Sequence, residues 1–415
     1  MEPIIVVGGG IGGLTLALSL HRAGLPCRVY EAVPEIKAIG VGINLLPHAM
    51  RQLDALGVLE PLAAVAVETK EAAFYNRFGQ HIYTEPLGRA AGYDWPQLSI
   101  HRGDLHLVLL RAARERLGEQ NVLCGWQCTG VEQDDRGVRA RFVDPVSHAE
   151  RPVQHGALAI GCDGIHSAIR KQLHPHEGPP RYSGVNMWRG VTVGAPFLSG
   201  ATFARVGWLT PAKLVLYPIR DDVDGRGNQL LNWVVEIQTP HHAVRDWNRR
   251  GALEDFLPAL ADWHFDWCDV PALIRGAQTV LEYPMVDQDP LPWWTQGRIT
   301  LLGDAAHPMV PRGSNGAGQA IVDAHVLADL LQRSADPSAA LRAYEELRLP
   351  ATAAVVLANR ANPPDAILRE VYERTGDRPF TDIDAVISHA ELVGLTDAYK
   401  RVAGYDRETL TRTER

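Results

Sequence analysis

A glycine-rich turn near the N-terminus, set between an apolar strand and an apolar helix, constrains the fold of this chain more than any other feature. Ile4–Val7 is a short apolar run, residues 8–13 read Gly-Gly-Gly-Ile-Gly-Gly, and residues 14–23 carry apolar side chains at helical spacing. A second strand is predicted at residues 27–30, directly before Glu31. A strand, a glycine turn, a helix, a strand and an acid in this order predict a unit that binds a dinucleotide.

Each part of this series has a physical task. Gly8 permits the tight turn, Gly10 lets a pyrophosphate approach the backbone, and Gly13 lets the helix pack closely on the strand. The helix N-terminus offers unpaired N–H groups and a partial positive charge to the phosphates. Glu31 lies roughly twenty residues beyond the turn, where a carboxylate accepts hydrogen bonds from a ribose diol. The sequence contains no second fingerprint of this kind, which argues against a separate nicotinamide-binding domain.

Length and composition predict a globular protein of two packed units. The chain has 415 residues, of which 46% are hydrophobic and 22% are charged, and its net charge is −8. This charge argues against nucleic acid and anionic membranes as partners, because both reward excess positive charge. Five scattered cysteines suit reduced thiols in the cytoplasm. Cys124 and Cys128 lack a second Cys/His pair at useful spacing, so we expect no metal site.

Two further segments carry glycine and polar residues directly after predicted buried strands. Residues 163–170 read Asp-Gly-Ile-His-Ser-Ala-Ile-Arg, residues 303–308 read Gly-Asp-Ala-Ala-His-Pro, and residues 311–318 lead into a helix. With these motifs in this order, the chain resembles the single-component FAD-dependent aromatic hydroxylases, the family of para-hydroxybenzoate and salicylate hydroxylases. The resemblance extends to about residue 360, and within the family it is strongest to members that act on phenazine carboxylates.

The resemblance and the strand pattern together predict a mixed α/β fold. It consists of a Rossmann-like FAD/NAD(P)-binding fold with an inserted β-sheet substrate domain and C-terminal helices. We expect a discontinuous FAD-binding domain at residues 1–75, 99–180 and 281–360. The substrate domain would comprise residues 76–98 and 181–280, and a C-terminal helical segment would comprise residues 361–415.

The resemblance also implies which residues contact FAD. They lie in the glycine turn and its acid, around residues 41–42 and 102, and in the two later motifs. They are Gly8, Gly10, Ile11, Gly12, Gly13, Glu31, Val41, Gly42, Arg102, Asp163, Gly303, Asp304, Pro308, Ser314, Asn315, Gly316 and Ala317. Arg102 would lie beside the phosphates or the ribityl chain, and Asp304 would accept from the ribityl hydroxyls. The helix that opens at residues 314–317 would stabilise the reduced flavin, although relatives usually carry Gly-x-Gly where this chain has Ser314 and Gly316.

The reaction that the resemblance implies is the hydroxylation of an aromatic or N-heteroaromatic acid. NADH or NADPH would act as a transient reductant of FAD, and a flavin C4a-hydroperoxide formed with O2 would transfer a hydroxyl to the ring. The sequence leaves open whether a ring carboxylate is lost, and whether the protein is a monomer or a homodimer. A flavoprotein reductase or halogenase on the same fold is the alternative, although the Trp-x-Trp-x-Ile element typical of such halogenases is absent from the sequence.

Five residues are candidates for contact with the substrate. Tyr217, on a predicted strand of the substrate domain, would orient or deprotonate a ring substituent, unless it is simply packed in the core. Asn44 would face the substrate or support a turn. His48, on the first turn of a predicted helix, would act in catalysis or lie at the surface. Arg189 and Arg312 would neutralise a substrate carboxylate; the alternatives are a buried ion pair for Arg189 and an exposed loop charge for Arg312.

Overall fold

The structure, a computed structural model, describes residues 2–239, 250–361 and 363–412. Its strands, numbered in chain order, are β1 (Ile4–Val7), β2 (Cys27–Glu31), β3 (Gly42–Leu45), β4 (Ala66–Thr69), β5 (Glu71–Tyr75), β6 (His81–Pro86), β7 (Gln97–His101), β8 (Val122–Cys124), β9 (Gln127–Gln133), β10 (Val138–Val143), β11 (Gln154–Gly156), β12 (Ala159–Gly161), β13 (Arg181–Gly194), β14 (Thr202–Val206), β15 (Lys213–Arg220), β16 (Gln229–Gln238), β17 (His264–Phe265), β18 (Cys268–Asp269), β19 (Val280–Asp287) and β20 (Ile299–Leu301). Its helices are α1 (Ile11–Arg22), α2 (Pro47–Ala55), α3 (Leu59–Ala63), α4 (Arg102–Leu117), α5 (Ala168–Leu173), α6 (Val270–Arg275), α7 (Gly316–Arg333), α8 (Pro337–Ala361), α9 (Ala366–Thr375), α10 (His389–Ala403) and α11 (Arg407–Arg412).

Five parallel strands form the sheet that carries the glycine-rich turn. Their order is β20-β12-β1-β2-β8, so the N-terminal strand lies at the centre. All four residues of β1 are apolar and buried, as a strand covered on both faces requires. Because parallel strands end at the same edge of a sheet, the segments that follow β1, β12 and β20 meet there. This sheet confirms the predicted mixed α/β fold with a Rossmann-like nucleotide-binding part.

A seven-stranded sheet forms the second unit. Its order is β19-β13-β16-β15-β14-β5-β6, and only the β14–β5 pair is parallel among its described strands. Side chains alternate between its faces. One face packs on an aromatic core that includes Trp188, Trp233 and Phe256. The opposite face carries Met187 and Tyr217. This face lines the candidate site.

The strand pairings extend this sheet past the predicted domain boundaries. Strand β5 pairs with β14, and β19 pairs with β13. Residues 71–75 and 281–287, which the predicted division assigns to the FAD-binding domain, therefore contribute strands to the sheet of the second unit. The division into domains is otherwise still a prediction.

The C-terminal helices pack against both units. Ile367 and Leu368 of α9 share a core with Ala72 and Phe74 of β5. Tyr399 of α10 packs with Val355 of α8, which is long and lies next to α7. The remaining strands form two three-stranded sheets, β3-β7-β4 and β11-β10-β9, and the two-stranded sheet β17-β18. None of the helices in the described ranges is both long and apolar enough for a membrane span.

Candidate active site

The glycine-rich turn is shaped by two close backbone contacts and one open position. Gly8 has a φ of +106°, and a Cβ atom there would lie 2.3 Å from the carbonyl oxygen of Cys162. A Cβ atom on Gly13 would lie 1.9 Å from the carbonyl oxygen of Gly8. At Gly10 a Cβ atom would meet nothing within 4 Å. Gly8 and Gly13 therefore serve packing, whereas Gly10 leaves space in which a ligand can approach the backbone.

The three sequence motifs converge at this edge of the parallel sheet. The turn touches the second motif through the contact of Gly8 with the backbone around Cys162. Gly12 faces the third motif, because a Cβ atom there would lie 3.0 Å from Leu302. Arg170 joins the second motif to the third by donating to the carbonyl oxygens of residues 305 and 306 at 2.8 and 2.9 Å. Asp163 accepts a hydrogen bond of 2.8 Å from the N–H of Ala168 and thereby closes the turn before α5.

Glu31 holds the glycine turn from the end of β2. One carboxylate oxygen accepts from the N–H of Gly9 at 2.6 Å, and the other accepts from the N–H of Val33 at 2.9 Å. The Nε2 atom of His106 lies 2.6 Å from the carbonyl oxygen of Gly9 and supports the same turn. Each carboxylate oxygen of Glu31 accepts only one of these bonds, so lone pairs are left for the predicted ribose contact.

Two accessible charged side chains and two helix N-termini belong to the same edge. Arg102 and Asp304 are both exposed. Although Asp304 is accessible to solvent, the protein groups around it desolvate its carboxylate and raise its pKa, and the nearby charges of His307 and Arg102 counteract that rise. Helices α1 and α7 follow Gly10 and Asn315, and neither residue caps its helix with a side chain. The N–H groups of both first turns are therefore available to phosphate or carbonyl oxygens.

Two consecutive residues of the loop before α7 have a left-handed backbone conformation. Ser314 has a φ of +57°, in the left-handed region, directly after Gly313 at +73°. A non-glycine residue in this conformation costs roughly 1–2 kcal/mol. Asn315 is fully buried, and its Nδ2 donates to the carbonyl oxygen of Gly313 at 2.9 Å, which holds the loop in place. Gly316 lies next to Asp304, since a Cβ atom there would be 3.9 Å from Oδ1 of Asp304.

Most of the remaining cofactor candidates lie in the same region. The carbonyl oxygen of Val41 accepts from the N–H of Arg102 at 2.9 Å. Pro308 is buried, and Gly303 donates its N–H to Asp323 at 3.2 Å. The open space at Gly10, the cation of Arg102, the acceptor Asp304 and the two free helix N-termini are the groups that an FAD would need. Ile11 and Ala317 lie in the first turns of those helices.

A cavity lies between the seven-stranded sheet and the loop before α7. Its lining brings together four of the five predicted substrate contacts, which are Asn44, Arg189, Tyr217 and Arg312. Ser314 lines it as well, so the cavity opens next to the loop that is predicted to hold the flavin.

Tyr217 occupies the buried wall of the cavity. Its ring stacks on Phe203 with a centroid distance of 4.8 Å. Burial raises the pKa of Tyr217, while the charge of Arg189 and contacts with Asn44 and Asn232 counteract the rise. The phenol is therefore protonated at neutral pH, which suits hydrogen bonding to a ring substituent better than removal of its proton.

Gly42 is the point at which the flavin-side strand β3 approaches the large sheet. Its N–H donates to Oδ1 of Asn232 at 2.7 Å, and its carbonyl oxygen accepts from Nη2 of Arg189 at 2.7 Å. A Cβ atom on residue 42 would lie 2.6 Å from the side chain of Asn232 and 2.8 Å from that of Tyr217. Asn44, two residues later, accepts from the hydroxyl of Ser99 at 2.5 Å. Close packing between the two units is what requires glycine here.

His48 and Arg312 are both largely buried, whereas the alternative prediction placed each of them at the surface. His48 is 3% exposed, stacks on Tyr405 and is not among the described residues that line the cavity. Burial, followed by the charges of Arg348 and Arg51, lowers the pKa of His48 to about 3, so its ring is neutral. Arg312 is 10% exposed at its side chain and lies 3.6 Å from Glu236. The sequence predicts a loop at Arg312, but it does not show that the seven-stranded sheet packs against this loop.

A buried network anchors the third motif to the C-terminal helices. His307 Nε2 lies 2.6 Å from Asp323, and Arg348 Nε donates to the other oxygen of this carboxylate at 2.7 Å. Tyr399 accepts from Nδ2 of Asn315 at 3.0 Å and donates to Oδ1 of Asn359 at 2.6 Å. The hydrogen bonds of Tyr399 show that α10 fixes the loop before α7.

We expect Tyr399→Phe to destabilise the protein by about 1–3 kcal/mol, because two buried amide groups each lose a hydrogen-bond partner. Urea denaturation monitored by tryptophan fluorescence measures the loss. Tyr405→Phe is the matched control, since the two rings lie 6.5 Å apart and the hydroxyl of Tyr405 has no hydrogen bond to a described residue. An equal loss of stability in both variants would contradict the anchoring role of the Tyr399 hydroxyl.

Several residues of the site were missed at the level of sequence. Arg205, Lys213, Glu236 and Asp365 all line the cavity. Lys213 and Glu236 face each other in the β15–β16 register. Charged residues within apolar strands were the available signal, since such residues are rarely buried unless they are paired. These residues meet at the cavity because β15 pairs with β16 and because the segment that contains Asp365 folds back onto the sheet.

Comparison with known proteins agrees with this architecture. The family model described as an FAD binding domain matches residues 1–359. The chain therefore belongs to this family of FAD-binding proteins, and its cofactor is FAD.

Individual relatives extend over nearly the full chain. The chain is 42% identical over 404 residues to phenazine 1,6-dicarboxylic acid hydroxylase of Lysobacter antibioticus, covering 96% of each chain. It is 36% identical over 406 residues to a 3-amino-4-hydroxybenzoate 2-monooxygenase of Streptomyces platensis, covering 95% of this chain and 96% of the relative. The crystal structure of Klebsiella pneumoniae HpxO with FAD and uric acid matches with a TM-score of 0.73 and 25% identity, covering 99% of this chain and 95% of that one. The chain therefore belongs to the FAD-dependent aromatic hydroxylases, and it is a monooxygenase.

Proposed function

We propose that the protein hydroxylates an aromatic or N-heteroaromatic acid of the phenazine carboxylate or salicylate type, bound in the cavity beside Tyr217. The observation that carries the proposal is the neutral, buried Tyr217 hydroxyl beside Asn44 and Arg189, next to the predicted flavin loop. A hydroxyl donor and a guanidinium at one wall suit a ring that bears a polar substituent and a carboxylate.

The reaction consumes NAD(P)H, a proton and O2, and yields the hydroxylated ring, NAD(P)⁺ and water. FAD, when bound, supplies the electron transfer and the activation of oxygen. The chain's own residues orient the ring through Tyr217 and Asn44, bind its carboxylate through Arg189 and Arg312, and exclude water from the cavity. The choice of NADH or NADPH, the route of oxygen transfer and the loss of a carboxylate are still predictions, as are a cytoplasmic location and the oligomeric state.

The alternative functions on this fold are a flavoprotein reductase and a halogenase. The names of the relatives, which are hydroxylases and monooxygenases, favour hydroxylation. NAD(P)H oxidation by the FAD-loaded protein, followed with oxygen, peroxide and product mass across a panel of aromatic acids, tests the proposal. A product heavier by one oxygen atom with little peroxide supports hydroxylation. Reduction of a substrate without oxygen, or peroxide as the sole oxygen product for the whole panel, contradicts it.

We expect Tyr217→Phe to lower product formation by about tenfold to a hundredfold, because the substrate loses its orienting hydrogen bond. Flavin reduction should fall much less, since that step does not need this hydroxyl. Stopped-flow absorbance at the flavin band measures reduction, and chromatography measures product. Tyr75→Phe, on β5 of the same sheet but outside the cavity lining, is the matched control. Equal losses in reduction and hydroxylation would contradict the orienting role.

A further inference from the structure

Two buried asparagine side chains contact the hydroxyl of Tyr217. Asn232 is 0% exposed and is the register partner of Tyr217 in the β15–β16 pair. Asn44 is 3% exposed and lines the cavity from β3. A side-chain amide carries an acceptor oxygen and a donor nitrogen, so its orientation decides whether a neighbouring hydroxyl must accept or donate.

The backbone of Gly42 fixes the orientation of Asn232. A backbone N–H can only donate, and that of Gly42 donates to Oδ1 of Asn232 at 2.7 Å. The opposite end of the amide, Nδ2, is buried and forms no hydrogen bond with a described residue. Because Oδ1 is already engaged, the group that Asn232 offers to the Tyr217 hydroxyl is a donor.

A pair of buried hydroxyls orients Asn44 in the same sense. Ser99 is 0% exposed, and its hydroxyl donates to Oδ1 of Asn44 at 2.5 Å. The hydroxyl of Thr69 lies 2.6 Å from that of Ser99. Because the single proton of Ser99 goes to Asn44, Ser99 accepts from Thr69. The group that Asn44 has left for its contact with Tyr217 is therefore its donor, Nδ2.

Arg189 is the third neighbour of the Tyr217 hydroxyl, and a guanidinium carries donors only. Its Nη2 donates to the carbonyl oxygen of Gly42 at 2.7 Å, and its Nε is buried without a hydrogen-bond partner among the described residues. The contacts with Arg189, Asn44 and Asn232 each lower the pKa of Tyr217 against the effect of burial, as donors to a phenol oxygen do. The oxygen of Tyr217 is thus surrounded by donors.

No carboxylate of the described cavity lining lies within reach of the Tyr217 proton. The carboxylates of that lining are Glu236 and Asp365, and both are bound to Lys213. Lys213 and Tyr217 are four residues apart on β15, which is roughly 13 Å along a strand. The ring of Tyr217 is held by stacking on Phe203. Its hydroxyl proton is therefore left for a ligand in the cavity.

We propose that Asn232 and Asn44 are positioning residues that make Tyr217 a hydrogen-bond donor to the substrate. The substrate then places at Tyr217 an atom with a lone pair and no proton, such as a ring nitrogen, a carbonyl oxygen or an ionised ring oxygen. Tyr217 selects for this acceptor and does not remove a proton from the ring substituent. This inference rests on the proposed function and adds to it the polarity of one substrate contact.

Two ligands that differ only in their ring atoms test the proposal: phenazine-1-carboxylate, and anthracene-1-carboxylate, in which C–H groups replace both ring nitrogens. Each is titrated into the FAD-loaded protein without NAD(P)H, and the change in flavin fluorescence gives the dissociation constant. The ratio of the two constants is the readout, because contacts with the shared carboxylate cancel in it. Tyr217→Phe should shift this ratio by about twofold to tenfold against the ligand with ring nitrogens, since one hydrogen bond is lost.

Asn232→Asp tests the positioning role. This variant keeps an oxygen for the N–H of Gly42 and replaces the donor Nδ2 by an acceptor. The hydroxyl of Tyr217 then donates to the new carboxylate and turns a lone pair toward the ligand. The ratio should therefore shift in the same direction as in Tyr217→Phe and by at least as much.

Asn186→Asp is the matched control. Asn186, on β13, accepts from the hydroxyl of Tyr182 at 3.2 Å and is not among the described residues that line the cavity, so its variant should leave the ratio unchanged. Ser99→Ala removes the donor that orients Asn44 and should shift the ratio against the ring nitrogens by at least about twofold. This variant keeps the proposal testable if Asn232→Asp does not retain FAD.

The outcomes that overturn the proposal are specific. An unchanged ratio in Tyr217→Phe would overturn the donor role of Tyr217. Equal weakening of both ligands in FAD-loaded Asn232→Asp, which leaves the ratio unchanged, would show that the substitution disturbs packing only and would overturn the positioning role of Asn232.

Hydroxylation assays keep this inference separate from the proposed function. A hydroxylated product from the wild-type protein, together with a ratio that neither Tyr217→Phe nor Asn232→Asp changes, would overturn the donor proposal and leave the hydroxylase function standing. A ratio that depends on both residues, without a hydroxylated product from any acid, would support the donor proposal and contradict the proposed function.

Discussion

Gly13→Ala is expected to give a protein that contains no FAD and unfolds at markedly lower denaturant concentration. The new methyl group would lie 1.9 Å from the carbonyl oxygen of Gly8, so α1 must move away from β1. Forced repacking at such a contact typically costs about 1–3 kcal/mol, and occasionally more. The same movement shifts the N-terminus of α1 away from the place where phosphates are predicted to bind. The ratio of flavin to protein absorbance and a urea titration measure the two effects.

Gly10→Ala is the matched control for this prediction. A Cβ atom at residue 10 meets no protein atom within 4 Å, so the stability of the FAD-free protein should change by less than about 1 kcal/mol. FAD binding should nevertheless weaken by about tenfold or more, because the methyl group occupies the side on which a pyrophosphate approaches. Normal FAD content in Gly13→Ala would contradict the packing role of Gly13. Unchanged FAD affinity in Gly10→Ala would contradict the role of Gly10 in pyrophosphate binding.

Asp323→Ala is expected to lower the free energy of unfolding by about 3–5 kcal/mol, because Arg348 would be left as a buried charge without its partner. Asp323 is 0% exposed, and its carboxylate also binds His307 and the N–H of Gly303. The loop that contains Asp304 should loosen with it, so FAD affinity falls as well. Chemical denaturation of the FAD-free protein, with a separate FAD titration, measures both losses.

The pH dependence of the free energy of unfolding is a second test of the prediction for Asp323→Ala. Burial opposes ionisation of Asp323, but His307 and Arg348 outweigh it and lower the pKa of this carboxyl below its ordinary value. A lowered pKa in the folded state adds stability above the unfolded-state pKa, and this stability is lost as the pH falls through the folded-state pKa. The wild-type protein should therefore lose more stability between neutral and acidic pH than Asp323→Ala does.

Asp329→Ala provides the control on the same helix. Asp329 pairs with Arg333 at 2.7 Å on the accessible side of α7, and such pairs contribute less than about 1 kcal/mol. A loss of similar size in both variants would mean that helix propensity, and not the buried ion pair, explains the effect of Asp323→Ala.

The nucleotide-binding part of the fold was predictable because its signals are local. The glycine turn, the short buried strands and the helix that follows are specified by neighbouring residues, and β1 and β2 occur at or within one residue of the predicted positions. The tasks of Gly8 and Gly13 follow from backbone geometry alone. The resemblance to the hydroxylase family extended the prediction to the second and third motifs, which the parallel sheet brings to one edge.

The substrate cavity was predictable only in part. Tyr217, Asn44, Arg189 and Arg312 all line it, but His48 is in the core. The charged lining residues Arg205, Lys213, Glu236 and Asp365 were not predicted. A histidine on an amphipathic helix looks the same in sequence whether its face meets solvent or a second helix. Here Tyr405, more than 350 residues away in the chain, covers it.

The sequence by itself determined that this chain binds a dinucleotide and belongs with FAD-dependent hydroxylases, because those features depend on glycines, strands and caps that act over a few residues. Only the tertiary structure decided the charge of the substrate cavity. That charge is the sum over six residues, Arg189, Arg205, Lys213, Arg312, Glu236 and Asp365, which come from five strands or loops and one interhelical segment. Electrostatic pairing depends on distance in space, and distance along the chain does not determine it.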